Sequence, residues 1–459
     1  MTRSTVPGED GVLTSSSIFM SQQLQSLRQQ IALASTETLV VTGVSLAFGA
    51  FALRRVWKLL DTEPSAVQNV DTTMSKTVVV LGGGMSGIAT AHKLLKHTAP
   101  KLKGLKVILV SASSHFYMNI AAVRGVIPGE IPDKDLFYPI EPGFAKYPRE
   151  SFEFVVGSAT ALDPAGNTVR VRAGDGGAEE RTIAYDQLVI ATGSSLATDL
   201  PFKTIGSYER TIEEWHKLQN RIKAAKSVVI AGAGPTGVET MGELAYKYGT
   251  TKKLTLIIDG EHALPSLMPS VAKTAEAELT KMKVELLRKV RVDAVEELGG
   301  DNGGTKLTLS DGKTLVADVF LPLYGVRPNS SFVPAHLLDA GGCVKVEPSL
   351  RVAGCENVWA VGDVNNLEFK TAMRAESQTV HLHPNLEAVL LGRGQQALAA
   401  YKPGTTTMMM VPVGKKKGTG QIGSFKAFSF MVNFFKGKTL LVEKAPAIVD
   451  GKSLFQNKI

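Results

Sequence analysis

Two copies of one pattern constrain the fold of this chain more than any other feature. Each copy is a short apolar run, a glycine-rich turn and a helix-forming segment. In the first, at residues 78–91, four apolar residues precede Gly-Gly-Gly-Met-Ser-Gly. In the second, at residues 228–239, Val-Val-Ile-Ala precedes Gly-Ala-Gly-Pro-Thr-Gly. A G-x-G-x-x-G turn between a strand and a helix binds the pyrophosphate of a dinucleotide. The pair predicts an α/β chain with two Rossmann-like dinucleotide-binding domains.

The glycines of each turn have separate predicted roles. Gly82 permits the tight turn, Gly84 leaves room for the pyrophosphate, and Gly87 lets the helix pack close to the strand. The phosphates then meet free N–H groups at the helix N-terminus, where the helix dipole favours anions. The predicted cofactor contacts of the two turns are Gly82, Gly84, Met85, Ser86 and Gly87 in the first, and Gly232, Gly234, Pro235, Thr236 and Gly237 in the second.

The residue after the second strand distinguishes the two predicted sites. In dinucleotide folds an acid at this place binds the ribose hydroxyls. Ser111 holds the place in the first module, so its hydrogen bond to a ribose lacks charge assistance. Asp259 holds it in the second module, and its carboxylate repels the 2′-phosphate of NADPH. The sequence thus predicts one dinucleotide held permanently and one exchanged; a plain turn residue is the alternative reading of Asp259.

Further short motifs follow in a fixed order. An Ala-Thr-Gly turn at Thr192 and Gly193 ends one apolar run, Gly325 ends a run that repeats it, and Gly362-Asp363 ends the last buried run. With the two glycine turns, this order resembles that of the two-dinucleotide-binding-domain flavoproteins over residues 76–392. The segments 119–124, 401–404 and 420–425 are similar to the apoptosis-inducing-factor-like, ferroptosis-suppressor branch, which is related to the type II NADH dehydrogenases.

The resemblance implies tightly bound FAD in the first module and NADH as co-substrate in the second, with NADPH left open. It implies that Asp363 binds the ribityl chain of FAD, that Arg124 contacts FAD and that the backbone near Ala159 lies against the adenine. It also implies that Glu239 faces the nicotinamide and that Lys370 lies near the flavin. A cation there would stabilise charge on the reduced ring; a solvated surface lysine is the alternative.

The region before the first module contains a predicted membrane anchor. Residues 1–37 are polar, 38–60 form the anchor, and 61–75 form a polar linker. The 16 residues from 38 to 53 carry no charge, and Arg54 and Arg55 follow them. A full span needs about 20 apolar residues, so a buried helix is the alternative. The basic flank predicts a catalytic body that faces the cytosol. The mitochondrial outer membrane, a lipid droplet and the endoplasmic reticulum are not distinguished.

The rest of the chain divides into four predicted segments. The FAD-binding domain occupies 76–205 and 341–400, the NADH-binding domain 206–340, and an acceptor or membrane region 401–459. Three β-like runs within 152–185 predict a small antiparallel meander inserted into the first module. The aromatic-rich stretch 425–435 is flanked by lysines. It fits a membrane interface and an ordinary core element equally well.

The two cysteines, Cys343 and Cys355, are not in a Cys-x-x-Cys arrangement, which argues against disulfide reduction. The anchor and the apolar C-terminal region favour a lipid-soluble acceptor. The sequence therefore predicts an enzyme that passes hydride from NADH to FAD and electrons onward to a quinone. An NAD(P)H-controlled signalling or death-related binding protein and an O₂-using flavin oxidase are the alternatives.

Nucleic acid and metal are not expected as ligands. The net charge is +8, but the basic residues are spread along the chain apart from one run of three lysines at 415–417. Charge of this kind fits solubility or an anionic surface as well as nucleic acid. No metal ligand is predicted.

Overall fold

A computed structural model describes residues 75–174, 179–299 and 303–455. The chain divides into a unit of residues 1–69 and a unit of residues 70–459, and the described residues all belong to the second. The predicted anchor at 38–60 and all but the last residue of the predicted linker lie outside the described residues. Within the described ranges, no helix combines the length and the apolar character needed to cross a membrane.

Strands make up much of the described chain. In chain order they are β1 (Lys76–Leu81), β2 (Leu105–Ser111), β3 (His115–Tyr117), β4 (Phe137–Pro139), β5 (Phe152–Asp163), β6 (Thr168–Ala173), β7 (Glu180–Ala184), β8 (Gln187–Ile190), β9 (Ser194–Leu196), β10 (Ser227–Ala231), β11 (Lys253–Ile258), β12 (Glu285–Arg288), β13 (Val292–Glu297), β14 (Thr305–Leu309), β15 (Thr314–Ala317), β16 (Val319–Pro322), β17 (Val326–Pro328), β18 (Val358–Ala360), β19 (Met408–Val413), β20 (Lys417–Ile422) and β21 (Phe425–Ala427).

Helices follow several of these strands. The α-helices are α1 (Met85–Lys93), α2 (Ala122–Gly125), α3 (Tyr208–Ala224), α4 (Pro235–Tyr248), α5 (Pro269–Lys281), α6 (Ala372–Leu390), α7 (Ser429–Val432) and α8 (Ala445–Val449). π-helical turns extend α1 and α7 over Leu94–Thr98 and Asn433–Gly437. Short 3₁₀ turns lie at Asn119–Ala121, Asp133–Asp135, Glu141–Phe144, Ala335–Leu337, Gly362–Val364, Gln395–Ala397 and Val442–Lys444.

The first sheet has seven strands in the order β18-β8-β1-β2-β5-β6-β7. The strands from β18 to β5 pair in parallel, whereas β5, β6 and β7 pair antiparallel as the predicted meander. Because parallel strands share one direction, the turns that follow β1, β2, β8 and β18 all meet at one edge. The chain leaves β1 toward β2 on one side and adds β8 on the other, which creates the crevice where ligands bind in such folds.

The second sheet repeats this plan on a smaller scale. Its order is β12-β11-β10-β16, with every pair parallel. The second glycine turn follows β10, and β11 and β16 flank that strand on either side. An antiparallel sheet of β13, β14 and β15 adjoins this module in sequence, and β19, β20 and β21 form a separate antiparallel sheet near the C-terminus.

The central strand β1 is buried on both faces, which explains its unbroken apolar sequence. Val78 and Val80 belong to one hydrophobic cluster, and Val79 and Leu81 belong to another. This split follows from the alternation of side chains along a strand. The buried sheet fixes the place of the turn at its carboxyl end.

The C-terminal hairpin of β19 and β20 packs against α4. A Cβ built on Gly242 of that helix would lie 2.8 Å from the backbone nitrogen of Gly414, at the hairpin turn. Gly414 has φ of +69°, a conformation that favours glycine. Small residues on both sides therefore permit close contact between the hairpin and the helix of the second module.

Candidate functional site

The first glycine turn packs tightly at Gly82 and Gly87 and faces open space at Gly84. Gly82 has φ of +120°, and a Cβ there would lie 2.3 Å from the carbonyl oxygen of Ala191. A Cβ on Gly87 would lie 1.8 Å from the carbonyl oxygen of Gly82, so only glycine lets α1 approach the strand so closely. A Cβ on Gly84 would meet nothing within 4 Å. The turn thus leaves an open cradle at the N-terminus of α1.

The second glycine turn repeats this geometry. Gly232 has φ of +105°, and a Cβ there would lie 2.6 Å from the carbonyl oxygen of Leu323. A Cβ on Gly237 would again lie 1.8 Å from the carbonyl oxygen of the first glycine, and a Cβ on Gly234 would meet open space. Pro235 occupies the first position of α4, where a backbone N–H has no partner in the helix. Thr236 follows it in the first turn.

The motifs from distant parts of the chain meet beside the first turn. Gly362 has φ of +80°, and a Cβ there would lie 3.1 Å from Oγ of Ser86. The backbone N–H of Gly362 donates to Oε1 of Gln378 on α6 at 2.8 Å. Thr192 donates from Oγ1 to the carbonyl of Asn329 at 2.6 Å, and the amide of Asn329 donates back to the carbonyl of Thr192 at 2.9 Å.

Asp363 has two polar partners that the sequence did not reveal. Oγ of Ser194 donates to Oδ2 of Asp363 at 2.8 Å, and Nζ of Lys203 donates to the same oxygen at 3.1 Å. Nζ of Lys203 also donates to Oγ of Ser194 at 2.6 Å. Ser194 and Lys203 together fix the carboxylate of Asp363 at the carboxyl edge of the first sheet. Its other oxygen, Oδ1, points to no partner among these contacts.

The two ribose positions differ in exposure. Ser111 is buried, and its hydroxyl donates to the carbonyl of Ser113 at 2.6 Å within its own turn. Gly83 packs against it, since a Cβ there would lie 2.3 Å from Oγ of Ser111. Asp259 is exposed at the carboxyl end of β11, next to the second glycine turn. The first position is closed by the chain itself, whereas the second is open to a ligand.

Glu239 lies on α4 in a buried ion pair. Its side chain is 5% exposed, and Oε1 accepts from Nζ of Lys436 at 2.6 Å. Burial raises the pKa of Glu239, and the ammonium of Lys436 acts in the opposite direction. Lys436 comes from the π-helical turn after α7, 197 residues away in sequence. In the sequence it stood out only as one of the lysines that flank the aromatic stretch.

Arg124 is buried and bonded to protein groups. Its Nε and Nη2 donate to the two carboxylate oxygens of Glu243 at 2.8 and 2.7 Å. Nη2 and Nη1 also donate to the carbonyls of Gly437 and Lys438 at 2.7 and 3.0 Å. One guanidinium therefore links α2, α4 and the C-terminal region. The contact with FAD that the resemblance implies for Arg124 stays a prediction.

The remaining predicted site residues make local contacts of their own. Nζ of Lys370 donates to Sγ of Cys343 at 3.2 Å. Ala159 lies in β5 opposite Val171, just before an irregularity in the register. Gly325, with φ of +71°, accepts from the backbone N–H of Ala197 at 2.7 Å.

The C-terminal aromatic stretch is divided between core and surface. Met431 and Val432 are buried, whereas several phenylalanines are 47–79% exposed. The ring centroids of Phe428 and Phe430 lie 6.1 Å apart in a stacked arrangement. The exposed rings, which we call the aromatic surface, are Phe425, Phe428, Phe430, Phe434 and Phe435.

Cys343 and Cys355 are both free thiols. Among residues 75–174, 179–299 and 303–455, no group of His, Cys, Asp and Glu side chains is arranged to hold a metal ion.

Two parallel sheets with glycine turns at their carboxyl edges define an α/β dinucleotide-binding oxidoreductase fold. The family model described as pyridine nucleotide-disulphide oxidoreductase matches residues 76–379. The chain belongs to this family. The two open cradles and the carboxylate after β18 lie within the matched range.

Similar proteins agree with this assignment. Oxidoreductase ptaL from Pestalotiopsis fici is 45% identical over 384 residues, which cover 83% of this chain and 100% of the relative. Human ferroptosis suppressor protein 1 is 27% identical over 378 residues, which cover 80% of this chain and 93% of the relative. The second of these confirms the resemblance to the ferroptosis-suppressor branch.

A solved structure shows the same fold. The sulfide:quinone oxidoreductase from Aquifex aeolicus superimposes with a TM-score of 0.65 at 20% identity. The match covers 82% of this chain and 92% of that chain.

Proposed function

We propose that this protein is an FAD-dependent oxidoreductase that passes hydride from NADH to FAD and electrons onward to a lipid-soluble acceptor, a quinone. The observation that carries the proposal is the presence of two open glycine cradles, each at a helix N-terminus and each at the carboxyl edge of its own parallel sheet. A pyrophosphate fits such a cradle because backbone N–H groups and the helix dipole both favour an anion there.

The residues of the first module fit FAD. Gly82, Gly84, Met85, Ser86 and Gly87 would hold the pyrophosphate at the N-terminus of α1. Asp363 would bind the ribityl chain through its free oxygen, because Ser194 and Lys203 occupy the other one. The remaining proposed contacts of FAD are Ser111, Arg124, Ala159, Thr192, Gly193 and Gly362. When bound, FAD accepts two electrons as hydride and releases them to acceptors that take them one or two at a time.

The residues of the second module fit a dinucleotide that binds and dissociates as a co-substrate. Gly232, Gly234, Thr236 and Gly237 would hold its pyrophosphate, with Pro235 starting the helix. Asp259, exposed at the end of β11, would bind the ribose hydroxyls through a charge-assisted hydrogen bond. The carboxylate favours NADH over NADPH, and Gly325 shapes the turn on the opposite side of β10.

Glu239 and Lys436 are the proposed catalytic pair in this arrangement. Glu239 is held four residues beyond Pro235 on α4, and its carboxylate is paired with an ammonium and removed from water. A cation and an acid so placed orient a nicotinamide and hold a proton near an electron acceptor. Lys370 contacts Cys343 and is proposed as a second cation near the flavin.

The acceptor is argued from the C-terminal region. The aromatic surface exposes apolar rings beside Lys426 and Lys438, which suits the interface of an anionic membrane. A quinone reductase must reach that interface because its substrate is dissolved in lipid. The unpaired thiols Cys343 and Cys355 fit a quinone better than a disulfide substrate. We propose that residues 38–60 add a membrane anchor and that the catalytic body faces the cytosol.

Anaerobic stopped-flow absorbance tests the proposal. Purified full-length protein in detergent is mixed with NADH and then with a short-chain ubiquinone. We expect the flavin band to bleach with NADH and to recover quickly with the quinone. Recovery with air alone would replace the quinone reductase with an oxidase, and protein without a flavin band would overturn the assignment of the first module.

A further inference from the structure

The edge of the second module carries two cations beside the proposed ribose acid. Arg288 ends β12 directly opposite Ile258 of β11. The residues that follow these two strands, Asp259 and Lys289, are therefore neighbours. The backbone N–H of Lys289 donates to the carbonyl of Gly260 at 3.1 Å, so the two segments stay in contact beyond the ends of the strands. Lys289 has φ of +60°, an uncommon backbone conformation for a residue with a side chain. The fold thus places both cations next to Asp259.

Each of these cations is paired with a carboxylate. Nη2 of Arg288 lies 2.8 Å from Oε2 of Glu276, and the other oxygen of Glu276 accepts from the backbone N–H of Ala263 at 2.7 Å. Burial opposes the charge of Glu276, but these two donors lower its pKa. Nζ of Lys289 lies 2.7 Å from Oε2 of Glu261 at an exposed position. With Asp259, the edge holds three carboxylates against two permanent cations.

This balance bears on which nucleotide the edge accepts. NADPH differs from NADH by a 2′-phosphate, which carries nearly two negative charges at neutral pH. In dinucleotide folds a nearby arginine accommodates that phosphate. Arg288 and Lys289 have the right charge and stand at the right edge, yet both are neutralised by their neighbours.

We propose that Glu261 and Glu276 are specificity-determining residues. Their ion pairs neutralise, or mask, Lys289 and Arg288, so these two cations are not available to bind the 2′-phosphate of NADPH. The inference rests on the proposed function, in which the second module binds NADH. It extends discrimination against NADPH from Asp259 to the pairs around it. Removing either carboxylate should therefore strengthen binding of the 2′-phosphate even though Asp259 is unchanged.

The test measures binding without hydride transfer. Full-length protein is titrated by calorimetry with ADP-ribose and with 2′-phospho-ADP-ribose, fragments that differ only in the phosphate. For Glu261→Gln we expect 2′-phospho-ADP-ribose to bind about three- to fivefold more tightly, as release of one exposed ion pair allows. Affinity for ADP-ribose should stay the same. The gain should shrink as salt is added, since the attraction involves exposed charges.

Matched variants identify the source of the gain. Glu213→Gln removes another exposed carboxylate that is paired with a lysine, Lys217, and should change neither affinity. Adding Lys289→Met to Glu261→Gln should abolish the gain. Glu276→Gln, whose amide oxygen can still accept from Ala263, should add a second gain through Arg288 if its circular dichroism matches the parent.

The outcomes separate this inference from the proposed function. An unchanged affinity ratio in Glu261→Gln, or a gain that survives Lys289→Met, overturns the masking role and leaves NADH binding intact. If neither fragment binds the parent protein, the assignment of the second module fails, and the masking role fails with it.

Discussion

The two modules share a glycine turn but differ in what surrounds it. At the first, Ser111 is buried and bonded to its own turn, and Asp363 is fixed by Lys203 and Ser194. At the second, Asp259 is exposed and the cations beside it are already paired. Both glycine cradles are open, but the ribose position beside the first is buried, whereas the position beside the second is exposed. This contrast supports the proposal that the first module holds FAD permanently and the second exchanges NADH.

The largest expected effect comes from the glycine that brings each helix against its strand. Gly87→Ala and Gly237→Ala each place a Cβ 1.8 Å from a carbonyl oxygen. Overpacking of this kind costs about 1–3 kcal/mol, or roughly a five- to 150-fold loss of affinity at the affected turn. We expect Gly87→Ala to lose flavin absorbance and Gly237→Ala to keep it but resist bleaching by NADH.

These two variants test whether the modules are distinct. Flavin absorbance and the rate of bleaching are measured for both, with Gly299→Ala as a control at a glycine in open space and without a positive φ. Loss of flavin from both variants would mean that the modules do not act separately.

The largest expected effect on stability, rather than on cofactor binding, concerns the buried pair on α4. Lys436→Met leaves Glu239 buried without its cation, and breaking such a pair costs about 3–5 kcal/mol when the charge persists. Burial already raises the pKa of folded Glu239 above its unfolded value, so the folded state binds more protons and stability falls as pH rises above the unfolded pKa. Removing Lys436 should raise the pKa of folded Glu239 further and so extend this fall to higher pH, which urea unfolding at a series of pH values measures.

Lys436→Arg is the matched control, because it keeps the positive charge. It should retain the parent slope of stability against pH. If Lys436→Met showed the parent slope as well, the pairing with Glu239 would carry no energetic weight.

A smaller effect should follow from making the second ribose position resemble the first. Asp259→Ser removes the carboxylate and should raise the KM for NADH about tenfold, since hydrogen bonds to charged groups contribute about 1.5–3 kcal/mol. Asp259→Arg should shift preference toward NADPH. Steady-state rates with both nucleotides give the ratio; equal ratios in parent and Asp259→Arg would remove Asp259 from the site.

The smallest effect is expected at the partners of Asp363. Lys203→Met should weaken FAD binding about fivefold by freeing the carboxylate from its fixed orientation. Ser194→Ala should act in the same direction but less. Fluorescence titration of the deflavinated protein measures both, and an FAD affinity unchanged by either variant would show that Asp363 needs no support.

Local sequence patterns predicted much of the fold. The strands β1 and β10, the turns after them and the meander of β5 to β7 are where the sequence placed them, since each depends on neighbouring residues. The aromatic stretch divided in a way that the sequence left open, with buried Met431 and exposed Phe434 only three residues apart.

The partners in the site were the part that the sequence did not predict. Lys436 reaches Glu239 across 197 residues, and Lys203 reaches Asp363 across 160. Arg124 bonds to Glu243 across 119 residues. No periodicity or spacing reports such contacts, because they exist only after the sheets and the C-terminal region have been brought together. Lysines are also common on surfaces, so nothing in their neighbours marked these as buried partners.

The link made by Arg124 has a consequence for how the molecule melts. Arg124 belongs to α2 of the first module. Its guanidinium bonds to a helix of the second module and to two carbonyls of the C-terminal region. Separating any one of these parts leaves a buried charge without a partner, so the local opening of one part alone costs considerable free energy. The three parts should then unfold as one cooperative unit, and heat would abolish both nucleotide cradles in a single calorimetric peak.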